Sequence, residues 1–169
     1  METKTYLFKP DKKLKQGFTL TDENKNVVYE AIMTKFTLFL PFKFNFVNHI
    51  TNTTTEHKVG HTATLEQDGL IGALATKSHF KFDGKKIWDY LHEQGIRIES
   101  GLSKDSIGMT YTVSLKGQEI AKMAMSNPMG KKFLITADCC YNIETTEEHL
   151  DTAFLCAFAF ARTNQTFYN

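Results

Sequence analysis

Over most of the chain the apolar positions recur every second residue in short runs, and that period predicts strands. Gly17-Phe18-Thr19-Leu20-Thr21 alternates, Asp22 to Asn26 supply turn residues, and Val27-Val28-Tyr29-Glu30-Ala31-Ile32 follows with β-branched and aromatic side chains, so a hairpin is predicted. Phe36 to Leu40 and Phe42-Lys43-Phe44-Asn45-Phe46 predict two more strands parted at Pro41, the second with three phenylalanines on one face. Residues 58–65, 70–76, 96–99, 109–115, 119–125, 132–136 and 140–144 continue the pattern, with Gly117 and Asn127-Pro128-Met129-Gly130 as turns.

Two segments depart from it. Asp83 to Gly95 carries apolar residues at Ile87, Trp88 and Leu91 and stops at a glycine, which predicts a short helix near 85–94. At the C-terminus, Thr145 and Glu148 have capping-box spacing. Glu147, Glu148 and Asp151 suit the positive end of a helix dipole, and Arg162 suits the negative end. A helix over about 146–162 is predicted. Within it, Ala153 to Ala161 is apolar without interruption, so no face is left for water. The run is far short of the roughly 20 residues that span a bilayer, so its burial must be within protein. In a strand-rich chain this predicts a closed antiparallel β-barrel threaded by its own C-terminal helix. Ala153, Ala157 and Ala161 would form a narrow face, and Phe154, Phe158 and Phe160 would fill the other sides.

Composition changes the picture little. The 169 residues are 41% hydrophobic and include 14 phenylalanines, and no linker or repeat divides them, so one domain spanning 1–169 is predicted. Twenty Lys+Arg against 19 Asp+Glu leave no basic field for nucleic acid. Cys139, Cys140 and Cys156 are odd in number and two are adjacent. They do not read as a disulfide framework, and no apolar leader follows Met1, so a cytoplasmic location is expected, with peripheral membrane association left open.

Phe18-Thr19-Leu20-Thr21-Asp22-Glu23 leading to Val27-Val28-Tyr29 is one of three stretches that resemble a known family. The others are Tyr111-Thr112-Val113 with Gly117 and Ile120-Ala121, and Tyr141-Asn142-Ile143-Glu144 running into the terminal helix. Together they resemble the tubby-like superfamily, most closely the LURP-one-related branch and its short bacterial relatives, over Tyr6 to Arg162. The resemblance implies a barrel of about twelve strands around a central hydrophobic helix. It also implies a non-enzymatic domain whose ligand is an anionic, phosphoinositide-like phospholipid headgroup. Lipid scrambling, known in the same superfamily, is not implied, because the chain lacks a cysteine-rich palmitoylation cluster and a terminal membrane helix. No residue of the tubby phosphoinositide site is carried over.

Lysine clusters are the candidate chemistry. Lys12, Lys13 and Lys15 form one group, while Lys85 and Lys86 follow Gly84, and Lys131 and Lys132 follow Gly130. The two glycine-led pairs, Lys85, Lys86, Lys131 and Lys132, are the expected headgroup site at a barrel rim. Lysines so placed also guard strand edges. The alternative is therefore a protein-interaction module with no lipid ligand, meeting a partner through Asn48 to Glu56.

No metal, cofactor or catalytic residue is expected. His57 and His61 share a strand face but stand some 13 Å apart, too far for one ion. Neighbouring Cys139 and Cys140 point to opposite faces of a strand. Gly101 to Asp105 lacks the second glycine of a nucleophile elbow, and Gly69 to Ala73 lacks a phosphate-loop lysine. Trp88, near Lys85 and Lys86, is expected to pack onto the barrel.

Overall fold

The computed structural model describes residues 1–11, 17–35, 42–67, 74–102, 109–125 and 140–168. Among them the strands are β1 (Lys4–Asp11), β2 (Gly17–Thr21), β3 (Val27–Lys35), β4 (Phe42–Asn48), β5 (Thr53–Gln67), β6 (Leu74–Phe82) and β7 (Lys85–Lys86). After helix α1 (Ile87–Glu93) come β8 (Ile96–Leu102), β9 (Met109–Leu115), β10 (Gln118–Met125) and β11 (Tyr141–Thr145). A 3₁₀ turn at Glu147–His149 then leads into α2 (Leu150–Tyr168).

All eleven strands lie in one antiparallel sheet of order β7-β6-β5-β4-β3-β2-β1-β11-β10-β9-β8. Chain neighbours pair, except β7 and β8. The one long-range ladder joins β1 to β11, from Lys4↔Thr145 to Phe8↔Tyr141. Strand β1 has no counterpart among the predicted elements. Residues 36–40, 70–73, 127–130 and 132–136, which carry parts of the predicted pattern, lie outside the described residues.

The closed barrel of about twelve strands is corrected by this topology: among the described residues the sheet is open, with β7 and β8 as its edges and no ladder between them. The chain between the edges is helical. Strand β7 is two residues long, and α1 follows at once, lying against β6, β7 and β8 with Ile87 and Leu91 buried. An apolar helix needs enclosure, not a complete hydrogen-bonded ring, and α1 covers the gap with side chains where a ladder would have done so with backbone.

The C-terminal helix is present but shifted from the predicted 146–162 to Leu150–Tyr168, so Arg162 is not at its end, and Leu155 and Phe160 are only half-buried. In α2, Ala153, Phe154, Cys156, Ala157, Phe158, Ala159 and Ala161 are all buried. The Phe154 ring lies 4.3 Å from that of Tyr29 and 5.3 Å from that of Phe8. Phe158 lies 5.0, 5.4 and 5.5 Å from Phe46, Phe44 and Phe18. Further along, the Arg162 guanidinium is buried over the rings of Phe42, Phe44 and Phe80 at 5.7–6.0 Å, and desolvation lowers its pKa to about 10.

The capping box does not form. Thr145 ends β11 and its hydroxyl donates to the Ile120 carbonyl at 2.8 Å, while Thr146 takes the cap position without a side-chain bond. The predicted short helix stops as its sequence requires: Gly95, at φ 79°, donates to the His92 carbonyl at 2.9 Å. Asp83-Gly84 and Lys116-Gly117 both make two-residue hairpins with positive φ at each position, the twist-matched turn type.

Candidate functional site

Strands β4, β5 and β6 turn Phe44, Phe46, Val59, Phe80 and Phe82 into the core. Side chains alternate across a strand, so Lys43, Lys58 and Lys81 stand on the outer face. Register gathers them, since Lys43 is paired with Lys58, and Gly60, two positions along β5, is paired with Lys81, which in turn pairs with Lys86. On β3, an irregularity between Met33 and Lys35 shifts the ladder so that Lys35 pairs with Lys43 and joins the same face. The result is two rows, Lys35–Lys43–Lys58 and Lys81–Lys86, on strands about 4.8 Å apart and offset by ~7 Å along them. Gly60 leaves the second row without a side chain beside Lys81.

Little negative charge opposes these groups. Lys43 Nζ meets Glu56 Oε1 at 3.0 Å, while among the described residues Lys35, Lys58, Lys81 and Lys86 have no carboxylate within ion-pair distance. Lys85 differs, because its ammonium is paired with Glu93 on α1. Of the four lysines expected to form the site, then, Lys86 joins the face, Lys85 is neutralised beside it, and Lys131 and Lys132 lie outside the described residues, as do Lys12, Lys13 and Lys15. Lys35, Lys43, Lys58 and Lys81 were not singled out by sequence. The signal for three of them is the polar position inside each apolar alternation, as in Phe42-Lys43-Phe44 and Phe80-Lys81-Phe82; Lys35 depends on the bulge and has no such signal.

The outer face of β8–β11 is unlike this. Its paired rows run Glu99–Thr112–Lys122–Glu144–Thr5 and Arg97–Ser114–Glu119, with signs interspersed, and Lys122 meets Glu119 at 3.4 Å.

The segment Asn48 to Glu56 is the end of β4, a turn and the start of β5. Buried Asn48 holds the turn, accepting from the Ile50 and Thr51 amides at 3.0 and 3.2 Å and donating to Asp151 at 3.3 Å. His57 and His61 both fall on β5, as predicted. Among the described residues no three His, Cys, Asp or Glu side chains are grouped as metal ligands. Cys140 and Cys156 are buried, and desolvation pushes the Cys156 thiol up to about 12. Trp88 packs edge-to-face on Phe160 at 5.3 Å and stays 43% exposed.

No protein-family model, curated protein or solved structure matches the chain. Among the described residues no helix is long and apolar enough to cross a membrane.

Proposed function

We propose that the chain is a binding module that reads an anionic phospholipid headgroup through the lysine face of β3–β7. The observation that carries this is the pair of lysine rows in which, among the described residues, one carboxylate, Glu56, meets a lysine. Two adjoining lysine rows suit a ligand with several negative charges, and the resemblance to tubby-like domains points to the same ligand class. Each lysine near an anionic surface contributes about 1 kcal/mol. Four uncompensated lysines therefore give about 4 kcal/mol, a near-millimolar interaction that a multiply charged headgroup or a dense anionic surface would strengthen.

The test is co-sedimentation with phosphatidylcholine vesicles carrying rising fractions of phosphatidylserine or of a phosphoinositide. Bound protein should rise with surface charge, fall as salt is added, and drop about tenfold or more when Lys58, Lys81 and Lys86 are changed together to Gln. Absence of binding at low salt, or binding indifferent to the triple change, would overturn the reading and favour a protein-interaction module.

A further inference from the structure

A second arrangement of functional side chains lies on the inner side of β5, away from the lysine face. Thr53, Thr55, His57 and Val59 share one side of that strand, and Val59 is in the core, so the first three line the mouth of the sheet where α2 begins. The His57 imidazole is clasped between the rings of Phe46 and Phe82, at 4.8 and 4.6 Å. Its Nδ1 is 2.8 Å from Asp83 Oδ2, and its Nε2 is 3.1 Å from Thr55 Oγ1. Asp83 is itself held by the β6–β7 turn, its other oxygen accepting from the Lys58 amide at 2.8 Å. With Nδ1–H donating to the carboxylate, Nε2 is the acceptor and the Thr55 hydroxyl is its donor. A hydroxyl, a base in hydrogen-bond reach and a third group that orients the base are the structural signature of an activated nucleophile.

Thr55 and His57 open onto a cleft of about 470 Å³, within the roughly 300–1,000 Å³ range of small-molecule sites, with Asp83 behind the imidazole. Tyr29, Phe46, Phe82 and Leu155 supply its apolar lining, and Gln94 and Lys116 bring hydrogen-bond donors to it. We infer that this cleft is an acyl-transfer site, with Thr55 as nucleophile, His57 as general base and acid, and Asp83 as the positioning residue. Its substrate class is a carboxylic ester with a small apolar or aromatic acyl group. Thr55 Oγ bonds to the acyl carbon as its proton passes to His57 Nε2. The carbonyl re-forms, the ester C–O bond breaks, and the leaving alkoxide takes that proton. Water, deprotonated by His57, then attacks the acyl-threonine, releasing the carboxylic acid and returning the proton to Thr55. The cleft lining also includes the charged side chains of Lys116 and Asp151.

The full chain should be assayed with p-nitrophenyl acetate and butyrate, and quenched samples examined by peptide mass spectrometry. The inference expects turnover, an acyl adduct on Thr55, and losses of roughly 10²–10⁴-fold in Thr55→Ala and His57→Gln, with Thr55→Ser retaining activity. Asp83→Asn tests the positioning role, because asparagine tolerates the left-handed φ of 49° and can still accept from Lys58 while offering Nδ1 an amide N–H and so imposing the wrong tautomer. Its kcat should fall at least ~100-fold with KM little changed. Circular dichroism and the thermal midpoint report whether each variant is folded. No turnover by the folded wild-type chain, equal hydrolysis by Thr55→Ala, or absence of the acyl adduct would each overturn the assignment. None of these outcomes bears on vesicle binding.

Discussion

The two halves of the curled sheet differ on both faces. From β3 to β7 the inner side is chiefly phenyl, with Phe44, Phe46, Phe80 and Phe82, and the outer side carries the two lysine rows beside Glu30, Asn45 and Glu56. From β8 to β11 the inner side is largely aliphatic, with Ile96, Val113, Met123 and Ile143, and the outer side alternates in sign. The inner difference matches the shared helix, whose Phe154 and Phe158 lean on the phenyl-rich side. The outer difference has no such origin. Lys35↔Lys43, Lys43↔Lys58 and Lys81↔Lys86 set like charges directly opposite one another, an arrangement that destabilises a sheet, whereas Lys122↔Glu144 sets opposite charges together. Folding therefore gives a reason for one face and none for the other, and the proposed headgroup reading rests on that difference.

The largest effect is expected where the halves meet. Ala157→Glu would place a charge at a fully buried position on the helix that both halves wrap, so soluble folded protein should be lost. A soluble variant with native circular dichroism would show that α2 is not enclosed. Next come paired truncations that compare the two inner faces. Phe46 touches Tyr29, His57, Phe82, Phe154 and Phe158, and Phe46→Ala should cost about 3–5 kcal/mol, whereas Ile143→Val in the aliphatic half should cost about 0.5–1.5 kcal/mol. Urea unfolding measures both, and equal losses would erase the inner contrast.

How legible this was differs between fold and site. The strands at 17–21, 27–32, 42–46, 96–99, 109–115 and 119–125 and the C-terminal helix could be read from period and composition, although burial alternates cleanly in 42–46 and not in 17–21, where all five residues are buried. Strand β1 escaped because only Tyr6 and Phe8 of its eight residues are buried, an alternation too short to stand out, even though one of its two partners, β2, is close in the chain. Openness of the sheet escaped for another reason: the apolar helix demands a wall, and sequence does not say whether a ladder or α1 completes it. For the site, adjacency in sequence was the misleading guide. Lys85 and Lys86 are neighbours in the chain, yet one is paired with Glu93 and the other lies beside Lys81, while Lys43 and Lys58 meet only through register. His57, Thr55 and Asp83 are likewise joined by a strand face and a hairpin turn rather than by any spaced motif.

The outer contrast can be sharpened by a pair of substitutions with opposite signs. Lys58→Glu puts a carboxylate opposite Lys43 and should raise stability by roughly 0.2–1 kcal/mol, while Lys122→Glu sets like charges at Lys122↔Glu144 and should lower it by a similar amount. Urea midpoints measured at low salt resolve the two, and added salt should shrink both. Lys58→Glu should also weaken vesicle binding even as it stabilises the fold. Stabilisation by Lys122→Glu, or none by Lys58→Glu, would mean that the like-charge rows carry no cost.

The smallest effect near neutral pH belongs to Cys156, which lies on the helix between the halves. Burial raises its thiol pKa to about 12 from an ordinary value near 9, so between those values the unfolded chain loses a proton that the native state keeps. The unfolded state then binds fewer protons, and stability contributed by the neutral thiol is fully present below about 9 and lost as pH rises towards 12. Arg162, lowered to about 10 from 12.5, acts in the opposite sense over the alkaline range, because there the unfolded chain holds the extra proton. The Cys156 contribution is therefore isolated as the difference between wild type and Cys156→Ala. That difference should be flat from pH 6 to about 9 and should shrink beyond it. At pH 8 an aromatic disulfide reagent should leave Cys156 unmodified until denaturant unfolds the chain. Rapid modification of Cys156 in the native protein would show that α2 is reached by solvent and that the sheet does not hold it.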